Sequence, residues 1–148
     1  MLRNALALLA GLAVGMTLNM AIIQLNTQVF FPMPTGTDTS DPEAFNAYLA
    51  TLPALAFIVT IAAHLAQSFF GALVAARLAT SHRGALAMAV GLLSLAGGVA
   101  AFAMFDGPTW MAIEFPLYLV TAWLAGRWAT PQATTPAGPS PEAASSER

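Results

Sequence analysis

Two side chains could carry a proton in surroundings that otherwise reject charge. His64 lies in the run Tyr48 to Leu78, where it is the ionisable group near the middle of a long apolar stretch, followed by Gln67 and Ser68. Glu114 lies in the segment M-A-I-E-F-P-L-Y-L-V, one helical turn before Tyr118. A charged side chain at mid-depth in a bilayer costs roughly 2.5–3.5 kcal/mol, so intramembrane ionisable residues are functional candidates by default. If the two meet, they form a proton-carrying pair. The alternative is structural: a buried His, Glu, Asn or Gln can be interhelical glue, worth on the order of 0.6 kcal/mol per bond. The candidate polar site is Glu114, His64, Asn19, Asn26, Gln67 and Tyr118, with both readings open.

The composition removes many other chemistries. The chain has no cysteine and no lysine, so thiolate catalysis, disulfide exchange and Schiff-base chemistry are excluded. Zinc normally needs three protein ligands, and the apolar runs offer only His64 and Glu114. No G-x-S-x-G, H-E-x-x-H or glycine-rich phosphate loop is present. A net charge of −2 without a basic cluster gives no case for nucleic acid. The expectation is therefore a protein that is not an enzyme, with no catalytic residue, cofactor or metal.

The elements that must position these groups follow from hydropathy. Of 148 residues, 57% are hydrophobic and 8% charged, too few charges to build a water-facing surface. Four apolar stretches, about 5–31, 48–78, 85–105 and 110–128, each reach the ~20 residues needed to cross a bilayer. They predict an all-α membrane protein, an antiparallel bundle of four transmembrane helices over residues 1–128. The start M-L-R-N-A-L-A-L-L-A resembles a signal peptide, but its apolar run continues to Phe31, which favours an uncleaved first helix. Arg3, Arg77, Arg83 and Arg127 flank one side of the stretches, and Asp38, Asp41, Glu43 and Asp106 occupy the other connections. By the positive-inside rule both termini are cytoplasmic. Residues 129–148, rich in Pro, Ala and Ser, read as a disordered cytoplasmic tail. In the second stretch, S-D-P-E-A-F predicts a helix start at Pro42, and Pro53 predicts either a break or a slight kink.

Helical spacing gathers the small and polar residues of each stretch onto one face. Thr60, His64, Gln67, Ser68 and Gly71 align in the second, and Gly11, Gly15, Asn19 and Asn26 in the first. Gly91 and Gly98 lie on the third and Glu114 and Tyr118 on the fourth. Because lipid is as apolar as leucine, helices in it associate through small residues and hydrogen bonds. Gly11, Gly15, Gly71, Gly91 and Gly98 are thus the expected helix-packing positions. Gln24 and Gln28 fall on a second face of the first stretch, suited to the outer loop or a second copy.

The segments N-M-A-I-I-Q-L-N, F-P-M-P-T-G, A-H-L-A-Q-S-F-F-G-A-L-V-A-A-R and M-A-I-E-F-P-L-Y-L-V resemble small bacterial four-helix inner-membrane proteins to which no activity is assigned. The resemblance spans about residues 19–128 and implies the inner membrane without implying a reaction. The leading functional expectation is a non-enzymatic bundle, acting as an accessory subunit or homo-oligomer. Its partners would be the lipid bilayer and a second copy or another membrane protein. The alternative is a small proton-coupled transporter or channel using Glu114 and His64.

Overall fold

The computed structural model describes residues 1–129, so the expected tail lies outside the described residues except for Ala129, which closes the last helix. The described chain is all-helical. Helix α1 (Leu2–Leu25) runs on into a π-helical turn, Asn26–Phe30. Then come α2 (Pro42–Leu49), α3 (Ala54–Leu78), α4 (Arg83–Met104), a 3₁₀ turn (Thr109–Ile113) and α5 (Glu114–Ala129). Three segments, Leu2–Phe30, Ala54–Leu78 and Arg83–Met104, are long and apolar enough to cross a membrane.

Local chemistry sets the boundaries. The Asp41 carboxylate accepts the Glu43 N–H at 3.0 Å, and Pro42 takes the first turn, so α2 starts where the sequence places it. The stretch 48–78 is not one helix. Pro53 is extended and lacks an N–H, so the chain breaks between α2 and α3. The Thr51 hydroxyl donates to the Tyr48 carbonyl at 2.7 Å, satisfying an acceptor near the end of α2. The stretch from 110 likewise opens as a 3₁₀ turn, which makes Glu114 the first residue of α5 rather than the fifth of a longer helix.

Helix α3 is the hub: α1, α4 and α5 all pack against it, whereas α1 barely touches α4. Along the α1–α3 seam Asn4 meets Ser81 just beyond α3, Gly11 meets Gly71 and Ala75, Gly15 meets Gln67, and Asn26 meets Ala56. The glycines are required here by close approach. A Cβ on Gly15 would stand 2.6 Å from the Gln67 carbonyl oxygen, and one on Gly91 2.5 Å from the Ala122 Cβ. A Cβ on Gly71 would stand 2.9 Å from the Gly11 carbonyl oxygen, and Gly11 is tighter still.

The apolar core is built almost wholly of alanine. Ala72, Ala75, Ala76, Ala87, Ala122 and Ala125 are fully buried beside Val90. Leu6, Leu9, Met16, Phe70 and Leu92 point outward. This inversion suits helix packing in lipid, where small residues give backbone contact and large ones face the acyl chains. At one end of the bundle Asn4 clamps the α3–α4 connection. Its amide donates to the Ser81 carbonyl and hydroxyl at 3.2 and 3.0 Å, and its oxygen accepts from Thr80 N and Oγ1 at 3.0 and 2.9 Å. We call this the closed end and the α2 side the open end.

Candidate functional site

The two ionisable residues singled out by sequence are in direct contact. Glu114, 2% exposed, places Oε2 3.0 Å from His64 Nδ1. The Tyr118 hydroxyl donates to Glu114 Oε1 at 3.4 Å, and the Tyr118 ring stacks on the His64 ring with centroids 6.2 Å apart. One turn towards the closed end, the Ser68 hydroxyl donates to the Tyr118 carbonyl at 2.8 Å. Both helices use an i, i+4 pair, His64 and Ser68 on α3 against Glu114 and Tyr118 on α5. Gly98 completes the floor. A Cβ there would lie 2.5 Å from the Tyr118 hydroxyl, so this glycine makes room for a phenol rather than for a backbone.

The pair forms part of the wall of a cavity of about 470 Å³. The cavity fills the gap between α1 and α4, with α3 behind it and α2 over its mouth. Asn19 and Ile23 come from α1, Asn26 from the π-turn, Thr60 and His64 from α3, Ala101 and Phe102 from α4, and Phe105 from just beyond it. Three contacts hold α2 in place. The Tyr48 hydroxyl donates to the Phe31 carbonyl at 2.8 Å, and Phe45 meets Phe105 edge-on at 5.1 Å. Asn46 donates to the Asp106 carboxylate at 3.2 Å while accepting the Asp106 N–H at 3.1 Å. Burial pushes the Tyr48 phenol above its ordinary range, so it stays protonated as a donor.

The expected amides part company. Asn26 is buried and donates from Nδ2 to the Ala56 carbonyl at 3.0 Å and to Thr60 Oγ1 at 3.4 Å. The Ala56 carbonyl can only accept, so the network fixes which way the amide points. Its Oδ1 is buried and accepts nothing, as is Asn19 Oδ1 on the same wall. Gln67 is away from the cavity, packed along Gly15. Gln24 and Gln28 are exposed, bonded to each other rather than to the outer loop.

Proton bookkeeping defines what the pair offers. With one carboxylate and an imidazolium, or one carboxyl and a neutral imidazole, the pair is net neutral. In both cases Nε2 carries a hydrogen, because Nδ1 is engaged with Glu114. Removing one proton leaves Nδ1–H donating to the carboxylate, a bare Nε2 lone pair and a net charge of −1. The described arginines lie at the closed end: Arg3 beside Asn4, Arg77 in the last turn of α3, Arg83 opening α4 and Arg127 over the Trp123 ring at 4.9 Å. Among the described residues no arginine therefore sits on the cavity wall to balance the anionic state. Among the described residues no three His, Cys, Asp or Glu side chains group as a metal site.

Sequence reasoning allowed a separate short helix before Pro53 but missed the contacts that strap it over the cavity, and the aromatic wall. Asn46 and Asp106 are 60 residues apart, and no local pattern announces their pairing. Comparison with protein-family models, curated proteins and solved structures finds no match.

Proposed function

We propose that this chain is a small non-enzymatic membrane protein that binds a small molecule in the α1–α4 cavity and exchanges it against the proton held by His64 and Glu114. The observation that carries this reading is the contact of a buried glutamate with a histidine on the wall of a cavity reaching towards the open end. A packing role alone would leave the interior filled. In the same reading the chain crosses a bacterial inner membrane four times as an antiparallel bundle with cytoplasmic termini. The opposed numbering of the α1–α3 contacts and the arginines at the closed end support that orientation. The 3₁₀ turn and α5 together rise ~34 Å, enough for ~30 Å of hydrocarbon, which supports the fourth crossing.

Native mass spectrometry of the chain purified in mild detergent tests the reading. A retained small molecule is expected, displaced when Ala101→Trp fills the cavity. In proteoliposomes a gradient of that molecule is expected to drive proton movement in the wild type and not in Glu114→Gln. If Glu114→Gln and Glu114→Ala both behave as wild type in each assay, the site is wrong. The second reading, an accessory subunit or homo-oligomer, is favoured by one feature: α1 packs mainly on α3 and leaves Gln24 and Gln28 exposed near its end. A stable complex through that face, lost in Gln24→Leu/Gln28→Leu, would support it.

A further inference from the structure

We infer that the occupant of the α1–α4 cavity is a lipophilic monovalent organic cation, an alkyl- or arylalkylammonium, which takes the place of the proton on the His64–Glu114 pair. The inference rests on the binding reading above and specifies its ligand class. Three independent features of the wall point to it.

The first is charge. Among the described residues Glu114 is the one acid on the wall, and none of the wall residues is an arginine. The polar groups sharing the wall with the pair are Asn19 from α1, Asn26 and Thr27 from the π-turn, Tyr48 from α2 and Thr60 from α3, and the Tyr118 hydroxyl from α5 donates to Glu114. None of them is a cation that could balance the pair after its proton leaves. In a poorly polar interior an unbalanced charge is the costly state, so an anionic pair needs a cation brought from outside. A neutral ligand leaves that state unbalanced, and an anion makes it worse.

The second is hydrogen-bonding sense. Once deprotonated, His64 Nε2 is an acceptor, and the Asn19 and Asn26 carboxamide oxygens are buried acceptors without donors. The hydroxyls of Tyr48, Thr60 and Thr27 and the Asn26 amide on the wall already donate within the protein, which among the described residues leaves the Asn19 amide N–H as the free wall donor, and an ammonium group brings three. Proton balance is simple. The ammonium enters with its own charge, the Nε2 proton leaves to water, and the site stays net neutral.

The third is the lining. Phe45, Tyr48, Phe57, Phe102 and Phe105 surround the upper cavity. Aromatic faces attract cations, more strongly when desolvated, and also pack the apolar body of the ligand. A volume of about 470 Å³ suits a molecule with one ring and a short alkyl arm.

The test uses the full chain in phosphatidylcholine nanodiscs, with three probes on one skeleton: 4-phenylbutylammonium, 4-phenylbutanol and 4-phenylbutyrate. Calorimetric titration in two buffers of different ionisation enthalpy, corrected against empty nanodiscs, gives affinity and protons released. The amine is expected to bind about tenfold or more tighter than the alcohol, with release of about one proton, and the carboxylate least. Glu114→Gln is expected to remove about tenfold or more of the amine affinity and leave the alcohol within about twofold. That contrast also shows that the variant is folded. Equal or tighter binding of the alcohol or the carboxylate overturns the cation assignment while leaving the cavity as a binding site. Amine binding without proton release overturns the exchange. Absence of binding by all three probes removes both the assignment and the binding reading beneath it.

Discussion

The two ends of the bundle are built on opposite principles. Towards the closed end Gly11, Gly71 and the alanines of α3, α4 and α5 bring backbones together and leave no space. Towards the open end regular α-geometry is lost in every helix but α4. Helix α1 widens into a π-turn, α2 and α3 part at Pro53, and α5 is preceded by a 3₁₀ turn. There Phe45, Phe57, Phe102 and Phe105 stand between helices and the cavity opens. In a lipid setting large interior side chains hold helices apart as readily as small ones draw them together. The ionisable pair sits at the boundary, with Ser68, Tyr118 and Gly98 closing the floor beneath it.

The sharpest way to break this contrast is to put bulk into the closed end. A side chain at Gly11 meets the Gly71 carbonyl and Ala75 at once, so Gly11→Leu is expected to cost more than about 3 kcal/mol and abolish the folded bundle in detergent. A Cβ added at Gly97 would meet nothing within 4 Å, so Gly97→Ala should change stability by less than about 1 kcal/mol, in the stabilising direction. Thermal unfolding of both variants checks the pair. A tolerated Gly11→Leu would mean that the α1–α3 seam is looser than these contacts require.

The same enlargement at the two ends should give opposite results. Ala87 is fully buried against Gly126, and Ala87→Leu is expected to cost about 1–3 kcal/mol by overpacking. Ala101 lines the cavity, so Ala101→Leu should stay within about 1 kcal/mol of wild type while weakening ligand binding. Equal destabilisation at both positions would show that the open end has no room to give.

Legibility in the sequence divides along the same line. The closed end was readable because its determinants are periodic: the glycines stand at helical steps, and each of Gly11, Gly15, Gly71 and Gly91 faces a neighbouring helix. His64 and Glu114 each stood out in the sequence by polarity, but their meeting depended on which helices are neighbours, and the packing of α5 on α3 brings them to 3.0 Å. The cavity was not legible. Nothing in the spacing of Phe45, Phe102 and Phe105 marks them as a cavity wall, and only the bend at Pro53 turns α2 across the mouth. Whether a helix starting at Pro42 would kink or break turned on the backbone just after it: the Leu49 carbonyl, which Pro53 cannot serve, accepts the Leu52 N–H at 3.1 Å, and Thr51 closes back on Tyr48, a local turn with no periodic signature.

At the boundary itself the loss should come from hydrogen bonding rather than from bulk. Glu114→Ala leaves His64 Nδ1 and the Tyr118 hydroxyl without their buried acceptor, an expected loss of about 1–3 kcal/mol. Glu114→Gln keeps an acceptor for one of them and should lose less than half as much. Chemical denaturation in a fixed detergent measures both. Equal losses would mean that the carboxyl contributes volume rather than hydrogen bonds, and that the pair is not the join between the two ends.

The smallest expected effect lies beyond the open end, in the loop before α2. Asp38 accepts the Ser40 hydroxyl at 2.6 Å and the Ser40 N–H at 2.9 Å, and these bonds hold its carboxyl below the usual aspartate range. A folded-state value below the unfolded one means that the loop gains from an ionised Asp38 above about pH 4 and loses that gain as pH falls through the folded value. Ser40→Ala removes the side-chain donor, which is the first cause of the shift, and should move the Asp38 carboxyl resonance midpoint upward in an NMR titration. The carboxyl is fully exposed, so global unfolding should be insensitive to the change. A midpoint that stays put in Ser40→Ala would assign the shift to the backbone bonds. A fall in bundle stability would instead show that this loop braces α2 over the cavity, through the turn that ends in the Asp41 cap.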